Sequence, residues 1–179
     1  MTKITASRRI LKGMTQSRTT SATPAVSGAD GLYERDFVSW LDRQAMLIRD
    51  GNLDGLDLAN LAEELEDMSK SRRQELRSRL EVLLTHLLKY QFQPEARTGS
   101  WLGTIVEQRA RIEDLFEESP SLRPLLADLL VDERVYRTAL RIAVAESGLP
   151  KGRFPERNPY GAEALDEDFW PGVGPHPDF

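Results

Sequence analysis

The sequence predicts an all-α fold, a single helical bundle of about five helices with an irregular Pro-rich C-terminal extension. Three observations carry that expectation. From Tyr33 onward, apolar residues recur at the 3.6-residue spacing of one helix face. Among the apolar residues, 25 Leu and 15 Ala stand against 14 Val and Ile together, a balance that favours helix over sheet. Gly51, Pro94, Gly148 and Pro150 fall at the ends of the periodic stretches, where helices stop.

The first helix places Tyr33, Phe37, Trp40, Leu41, Gln44 and Ile48 on one stripe before Gly51. Asp57 suits the N-cap of a second, whose apolar positions are Leu58, Leu61, Ala62, Leu65 and Met68. A third runs from about Arg72 to Gln93, with Leu76, Leu80, Leu83, Leu84, Leu87 and Leu88 spaced for one buried face. Pro94 ends it. The pattern leaves open whether the second and third join through Ser69–Ser71. A fourth helix starts near Ser100 and buries Trp101, Ile105, Gln108, Ile112, Leu115 and Phe116 on one side. Ser119 and Pro120 then give a cap and a proline at the first helical position. A fifth helix is expected from about Ser121 to Ser147, with Pro124 tolerated only within its first turn. Six of the ten prolines follow Leu149, so the last stretch should wrap the bundle in irregular form, with room for one short helix after Asn158-Pro159.

Composition excludes several classes of function. No apolar run approaches the roughly 18 residues of a membrane-spanning helix, so no membrane role is expected. With no Cys there is no disulfide framework, iron–sulfur site or thiol nucleophile. The net charge of −5 is uneven: residues 1–29 hold five basic residues and no acid, which leaves −10 for the remainder. That segment also carries ten Ser/Thr and no continuous apolar stretch, so it cannot offset the entropy cost of ordering. Its composition is also that of a transit peptide, but a disordered basic tail is the better reading. The domain plan is therefore a tail over 1–29, a helical domain over 30–171 and a flexible C-terminal tail over 172–179.

The candidate chemistry is sparse. Asp50, Asn52, Asp54 and Gly55 match the first half of a calcium-binding EF-hand loop between two helices. The second half fails: Leu61 stands where the bidentate carboxylate belongs, and Asp57 takes the usual apolar position. A helix stop followed by an acidic helix start explains the same residues without metal. Glu63, Glu64, Glu66 and Asp67 share helix faces as di-metal sites require, but no Glu-x-x-His pair accompanies them. No metal and no cofactor are expected. His86 lies near the edge of a Leu stripe, and His176 sits in a Pro/Gly tail. Neither has a Gly-x-Ser-x-Gly elbow, a cysteine or a phosphate loop to work with. Lys70, Arg72, Arg73, Arg77 and Arg79 form a basic segment able to touch a nucleic-acid backbone together with the tail. The domain's net −10 and the lack of a reader motif argue for a solvated helix face instead.

An ordered set of motifs carries a family likeness. It opens with Tyr33-x-x-Asp36-Phe37-x-x-Trp40-Leu41 and continues through Leu56-Asp57-x-x-Asn60-Leu61-Ala62-Glu63-Glu64-x-Glu66-Asp67-Met68. Leu83-Leu84-x-His86-Leu87-Leu88-Lys89-Tyr90-Gln91 and Ser100-Trp101-x-x-Thr104-Ile105-x-x-Gln108-Arg109 come next. Ser119-Pro120-Ser121-Leu122, Phe154-Pro155 and Asp166-Glu167-Asp168-Phe169-Trp170-Pro171 complete the series. Over about residues 32–171 the chain resembles the bacterial domain of unknown function 29 family. One departure is Asn158-Pro159, where that family's pattern would have Cys-Pro; no thiol acts at this position here. The resemblance implies an all-helical, bacterial, cytoplasmic domain without an assigned activity. It singles out Glu63, Glu64, His86, Lys89, Trp101 and Arg109 as a polar cluster on helices that would adjoin. A buried cluster of this kind is tolerable only when fully paired, so it reads first as a lock on helix register and second as a ligand site.

Three functions remain in play. The leading expectation is a non-enzymatic interaction or regulatory module that binds a protein partner or itself. The alternative is a ligand- or metal-binding protein or enzyme built on Glu64, His86 and Arg109. Nucleic-acid binding through the tail and residues 70–79 ranks last.

Overall fold

The computed structural model describes residues 31–172. The expected tail over 1–29, the end of the chain from 173 and His176 lie outside the described residues. Among the described residues there are six α-helices, five short 3-10 turns and no strand, so the fold is all-α. No helix among them is long and apolar enough to cross a membrane. The chain divides into two compact units, one ending at Ala62 and the other beginning at Glu63.

The N-terminal unit holds α1 (Leu32–Arg35), α2 (Phe37–Arg49), a 3-10 turn at Leu53–Gly55 and the first turn of α3 (Leu58–Phe92). The single first helix of the sequence reading is broken at Asp36. Its carboxylate accepts hydrogen bonds from the Ser39 N–H at 3.0 Å and the Ser39 hydroxyl at 2.6 Å, capping α2. Tyr33, Phe37 and Trp40 then pack ring against ring, with Tyr33 and Trp40 centroids 4.9 Å apart. Of the expected stripe, Trp40 and Gln44 are buried while Phe37, Leu41 and Ile48 stay exposed.

The C-terminal unit contains the core. The second and third stretches join without interruption: α3 is 35 residues long, or about 52 Å at the helical rise. Nothing at Ser69–Ser71 breaks it, because serine lowers helix propensity only slightly. From Leu76 to Tyr90 this helix buries its Leu series against Ile105, Ile112 and Phe116 of α4 (Gly99–Glu118) and Val135, Ala139 and Ala143 of α6 (Glu133–Ser147). Named contacts fix the register. Arg72 meets Glu118 and Lys89 meets Trp101, so α3 and α4 are antiparallel. Arg77 meets Asp132, Thr85 the Ala139 carbonyl and Lys89 Glu146, so α3 and α6 run parallel.

The expected fifth helix over 121–147 is instead three pieces: a 3-10 turn at Pro120–Leu122, α5 (Leu125–Val131) and α6. The break is Asp132, which is extended and caps α6 by accepting the Arg134 N–H at 2.8 Å. Its carboxylate also holds Arg77 at 2.6 Å. Gly148, at φ 68°, ends α6 in the left-handed region that glycine adopts without strain. Beyond it the chain wraps the unit as an irregular strap, with 3-10 turns at Lys151–Arg153 and Ala162–Leu165. Tyr136 donates to the Pro155 carbonyl at 2.7 Å and Tyr160 to Gln91 at 2.7 Å. Asn158 donates to the Leu130 and Tyr160 carbonyls at 2.9 and 3.0 Å, so this amide pins the strap.

Candidate functional site

The structure sorts the six sequence-predicted site residues into three places. Lys89 and Trp101 come together. Lys89, buried in the wall between α3 and α6, donates to Glu146 at 2.6 Å, and its ammonium lies 4.3 Å from the Trp101 ring centroid. A carboxylate on one side and an aromatic face on the other satisfy the buried cation. His86 sits one turn earlier and half-buried, and its Nδ1 donates to the Val82 carbonyl at 3.0 Å. Burial is the main force pushing the His86 pKa below its ordinary value; the neighbouring Lys89 adds to it, while the Val82 carbonyl and Glu146 oppose it. At neutral pH the ring is uncharged, with Nδ1 committed to the backbone.

Arg109, on α4, faces a different partner. Its guanidinium donates to the backbone carbonyls of Ala164 at 2.9 Å, Phe169 at 2.5 Å and Glu167 at 3.4 Å. It also lies 5.0 Å from the Trp170 ring centroid. Burial pulls the Arg109 pKa below its ordinary value, with Asp166 and Glu167 offsetting part of the penalty. Its donors are used in holding the strap down.

Glu63 and Glu64 belong to neither group. They lie on α3 itself, Glu64 22 residues before His86, which is about 33 Å along the axis. A single continuous helix cannot fold them onto His86, so Glu64, His86 and Arg109 do not converge. Glu63 is exposed and Glu64 half-exposed. Glu146 and the strap carbonyls are the partners that sequence reasoning missed. A glutamate on an amphipathic helix and a backbone oxygen carry no local signature.

In the EF-hand-like stretch Asp50, Asn52 and Asp54 are exposed, and it is Asp57 that is held by structural bonds. The Asp57 carboxylate, buried, accepts from Asn60 Nδ2 at 2.7 Å and from Trp40 Nε1 at 3.4 Å, and its N–H donates to Gln44 at 2.9 Å. Among the described residues no three His, Asp or Glu side chains are grouped to hold a metal ion. Of the basic segment, Arg77 and Arg79 are tied to Asp132 and Glu75, and Arg72 to Glu75 and Glu118.

What the C-terminal unit leaves open lies elsewhere on α3. Leu65 and Met68 are 65% and 66% exposed, although Leu65 shares its helix face with the buried Leu76 and Leu83. Just beyond them a cleft of about 460 Å³ opens where α3 meets the Ser119–Asp128 corner. Ser69, Arg72 and Arg73 line one wall and Leu122, Leu125 and Asp128 the other.

The chain belongs to the domain of unknown function DUF29 family, whose model matches residues 32–170. No curated protein and no solved structure matches it.

Proposed function

Because that family assigns no activity, the function has to be read from the site, and we propose a non-enzymatic protein-interaction module that docks through the N-terminal half of α3. The observation that carries this reading is the exposure of Leu65 on a face that Leu76 buries three turns later, with Met68 exposed beside it. An apolar helix face left to water is favourable to cover, at roughly 25 cal/mol per Å² removed from solvent. The polar cluster gives less support to a ligand site, because Lys89 and Arg109 already spend their donors on Glu146 and on strap carbonyls. The ion pairs of Arg72, Arg77 and Arg79 weigh in the same way against nucleic-acid binding.

A photo-crosslinking residue in place of Met68, in cells producing the full chain, tests the reading. The expected result is a covalent protein adduct that Leu65→Glu suppresses. Gln74, exposed on the opposite side of α3, serves as the control position. Equal labelling at 68 and 74, or none at 68, would remove the docking role.

A further inference from the structure

We infer that the occupant of this face is a second copy of the chain, packed antiparallel along α3 about a two-fold axis near Ser69 and Lys70. The inference rests on the docking reading above and names its partner. Three features of the C-terminal unit combine to support it.

The first is that a knob and a hole lie on one helix face in sequence. Leu65 and Met68 project from α3, and the cleft that Leu122 and Leu125 help to line begins at Ser69 and Arg72. Seven residues separate Leu65 from Arg72, about 10 Å along the axis. Turning one copy end over end about the midpoint brings each Leu65 to within one residue's rise of the level of Arg73 on the other, which lines its cleft. A surface whose knob and hole are related this way is self-complementary, as a closed two-fold interface requires.

The second is charge. Glu66 and Arg73 are seven residues apart and flank the same edge of the apolar stripe. In a two-fold antiparallel pair like edges face each other, so Glu66 of each copy meets Arg73 of the other, giving two cross-copy ion pairs. Among the described residues of one copy Glu66 pairs with Lys70, at 3.7 Å and with both side chains exposed, a contact of little strength that is free to exchange. On the other edge Glu75 approaches Glu64 of the second copy, but Arg79 at 2.7 Å and Arg72 at 3.4 Å already neutralise Glu75.

The third is that the two properties coincide. An arbitrary apolar partner would be served by Leu65 and Met68 alone and would need neither the cleft nor the acid-then-base order. The same dozen residues supply both halves of a joint.

Sedimentation equilibrium of the full chain measures it. The expected species has twice the 20.3 kDa chain mass at micromolar concentration. Leu65→Glu should shift it to monomer. Glu66→Arg and Arg73→Glu should each weaken the dimer about tenfold, and the two together should restore it to near the parental Kd. All three positions are exposed, and circular dichroism of each variant confirms that the helices persist. A monomer at every concentration, a dimer indifferent to Leu65→Glu, or a double swap that fails to restore would each overturn the inference. The photo-crosslink at position 68 separates this failure from that of the docking reading. An adduct joining two chains, seen at twice the 20.3 kDa chain mass, supports the second copy; one confined to a single chain, whose own residues 119–128 lie beside Ser69, overturns it. An adduct to a different protein overturns the second copy and keeps the docking face, and no adduct removes both.

Discussion

One helix, α3, is two different objects along its length. From Leu76 to Tyr90 its apolar face is sealed by α4, α6 and the strap, and Leu76, Leu80, Leu83, Leu84, Leu87 and Leu88 have no accessible surface. From Glu63 to Glu75 the same face carries Leu65 and Met68 in the open. Leu65 lies on the helix face of Leu76 and Leu83, although Ser69 and Arg72 occupy that face between them. The difference teaches that amphipathic spacing states which face is favourable to cover and is silent about what covers it. Only the elements that return alongside the helix decide that, and here they stop at the Arg72–Glu118 pair and the Arg77–Asp132 pair.

Truncating one leucine in each half is the hardest test of the contrast. Leu83→Ala removes a side chain with no accessible surface and should cost about 2–5 kcal/mol, the transfer and cavity terms together. Leu65→Ala removes one that is mostly in water and should change stability by about 0.5 kcal/mol or less. Urea unfolding at submicromolar chain concentration reads both. Equal losses would mean that the exposed half is packed in solution and would break the comparison.

A second test asks whether the sealed half depends on its strap. Arg109→Met leaves the carbonyls of Ala164, Glu167 and Phe169 without their donor. At about 1–3 kcal/mol for a buried acceptor left unsatisfied, with partial relief from water, a loss of about 2–3 kcal/mol is expected. Limited proteolysis should show faster cutting within residues 149–172, with no change in the oligomeric state set by Leu65. Unchanged protection of the strap would show that Phe154, Tyr160 and Trp170 alone hold it.

How far these features could be read in advance follows the same divide. Helix ends marked by glycine or proline were legible, because Gly148 and Pro94 act through their own backbone. The breaks at Asp36 and Asp132 were not, since an aspartate within a periodic run is equally at home on a solvated helix face. Only its capping bonds to Ser39 and Arg134 reveal the break. The pattern leaves the continuity of α3 open because three polar residues neither cap nor stop a helix. Of the polar cluster, the Lys89–Trp101 contact was within reach of sequence. Its completion by Glu146, 57 residues away, and the carbonyl partners of Arg109 are tertiary facts. Glu63 and Glu64 can join His86 only if residues 58–68 and 72–93 form separate helices, and the continuous α3 keeps Glu64 and His86 about 33 Å apart.

The cluster itself gives a smaller effect. Lys89→Met keeps most of the stem but loses the Glu146 pair and the Trp101 contact. Glu146 is half-exposed and can be rehydrated, so the expected cost is about 1 kcal/mol. Glu146→Gln combined with Lys89→Met should cost little more than Lys89→Met alone, a double-mutant cycle read by thermal unfolding. Strictly additive losses would mean that the two groups do not act as a pair.

The smallest effect is on pH, and it too belongs to the sealed half. His86 has a folded-state pKa below the ordinary value of 6.5, chiefly because burial disfavours its charged form. The unfolded chain therefore binds a proton first as pH falls, so stability should decline below about pH 6.5 and level off once the folded pKa is passed. His86→Gln should flatten that segment of the curve. Asp132 acts in a separate window. The Arg134 N–H and the Arg77 guanidinium hold its pKa down to about 2, against an ordinary 3.8. Its contribution is complete above about pH 4 and is lost as pH falls through about 2; Asp132→Asn should remove that acid-side step and leave the His86 step in place. Both groups lie where α3 is enclosed by α6. Neither Glu64→Gln nor Glu66→Gln, in the open half, should alter the His86 step when unfolding is followed from pH 7 to pH 5 at fixed ionic strength. A change in that step on removing either acid would place the two halves in electrostatic contact across about 30 Å of helix, several screening lengths in ordinary salt; one continuous α3 does not permit that.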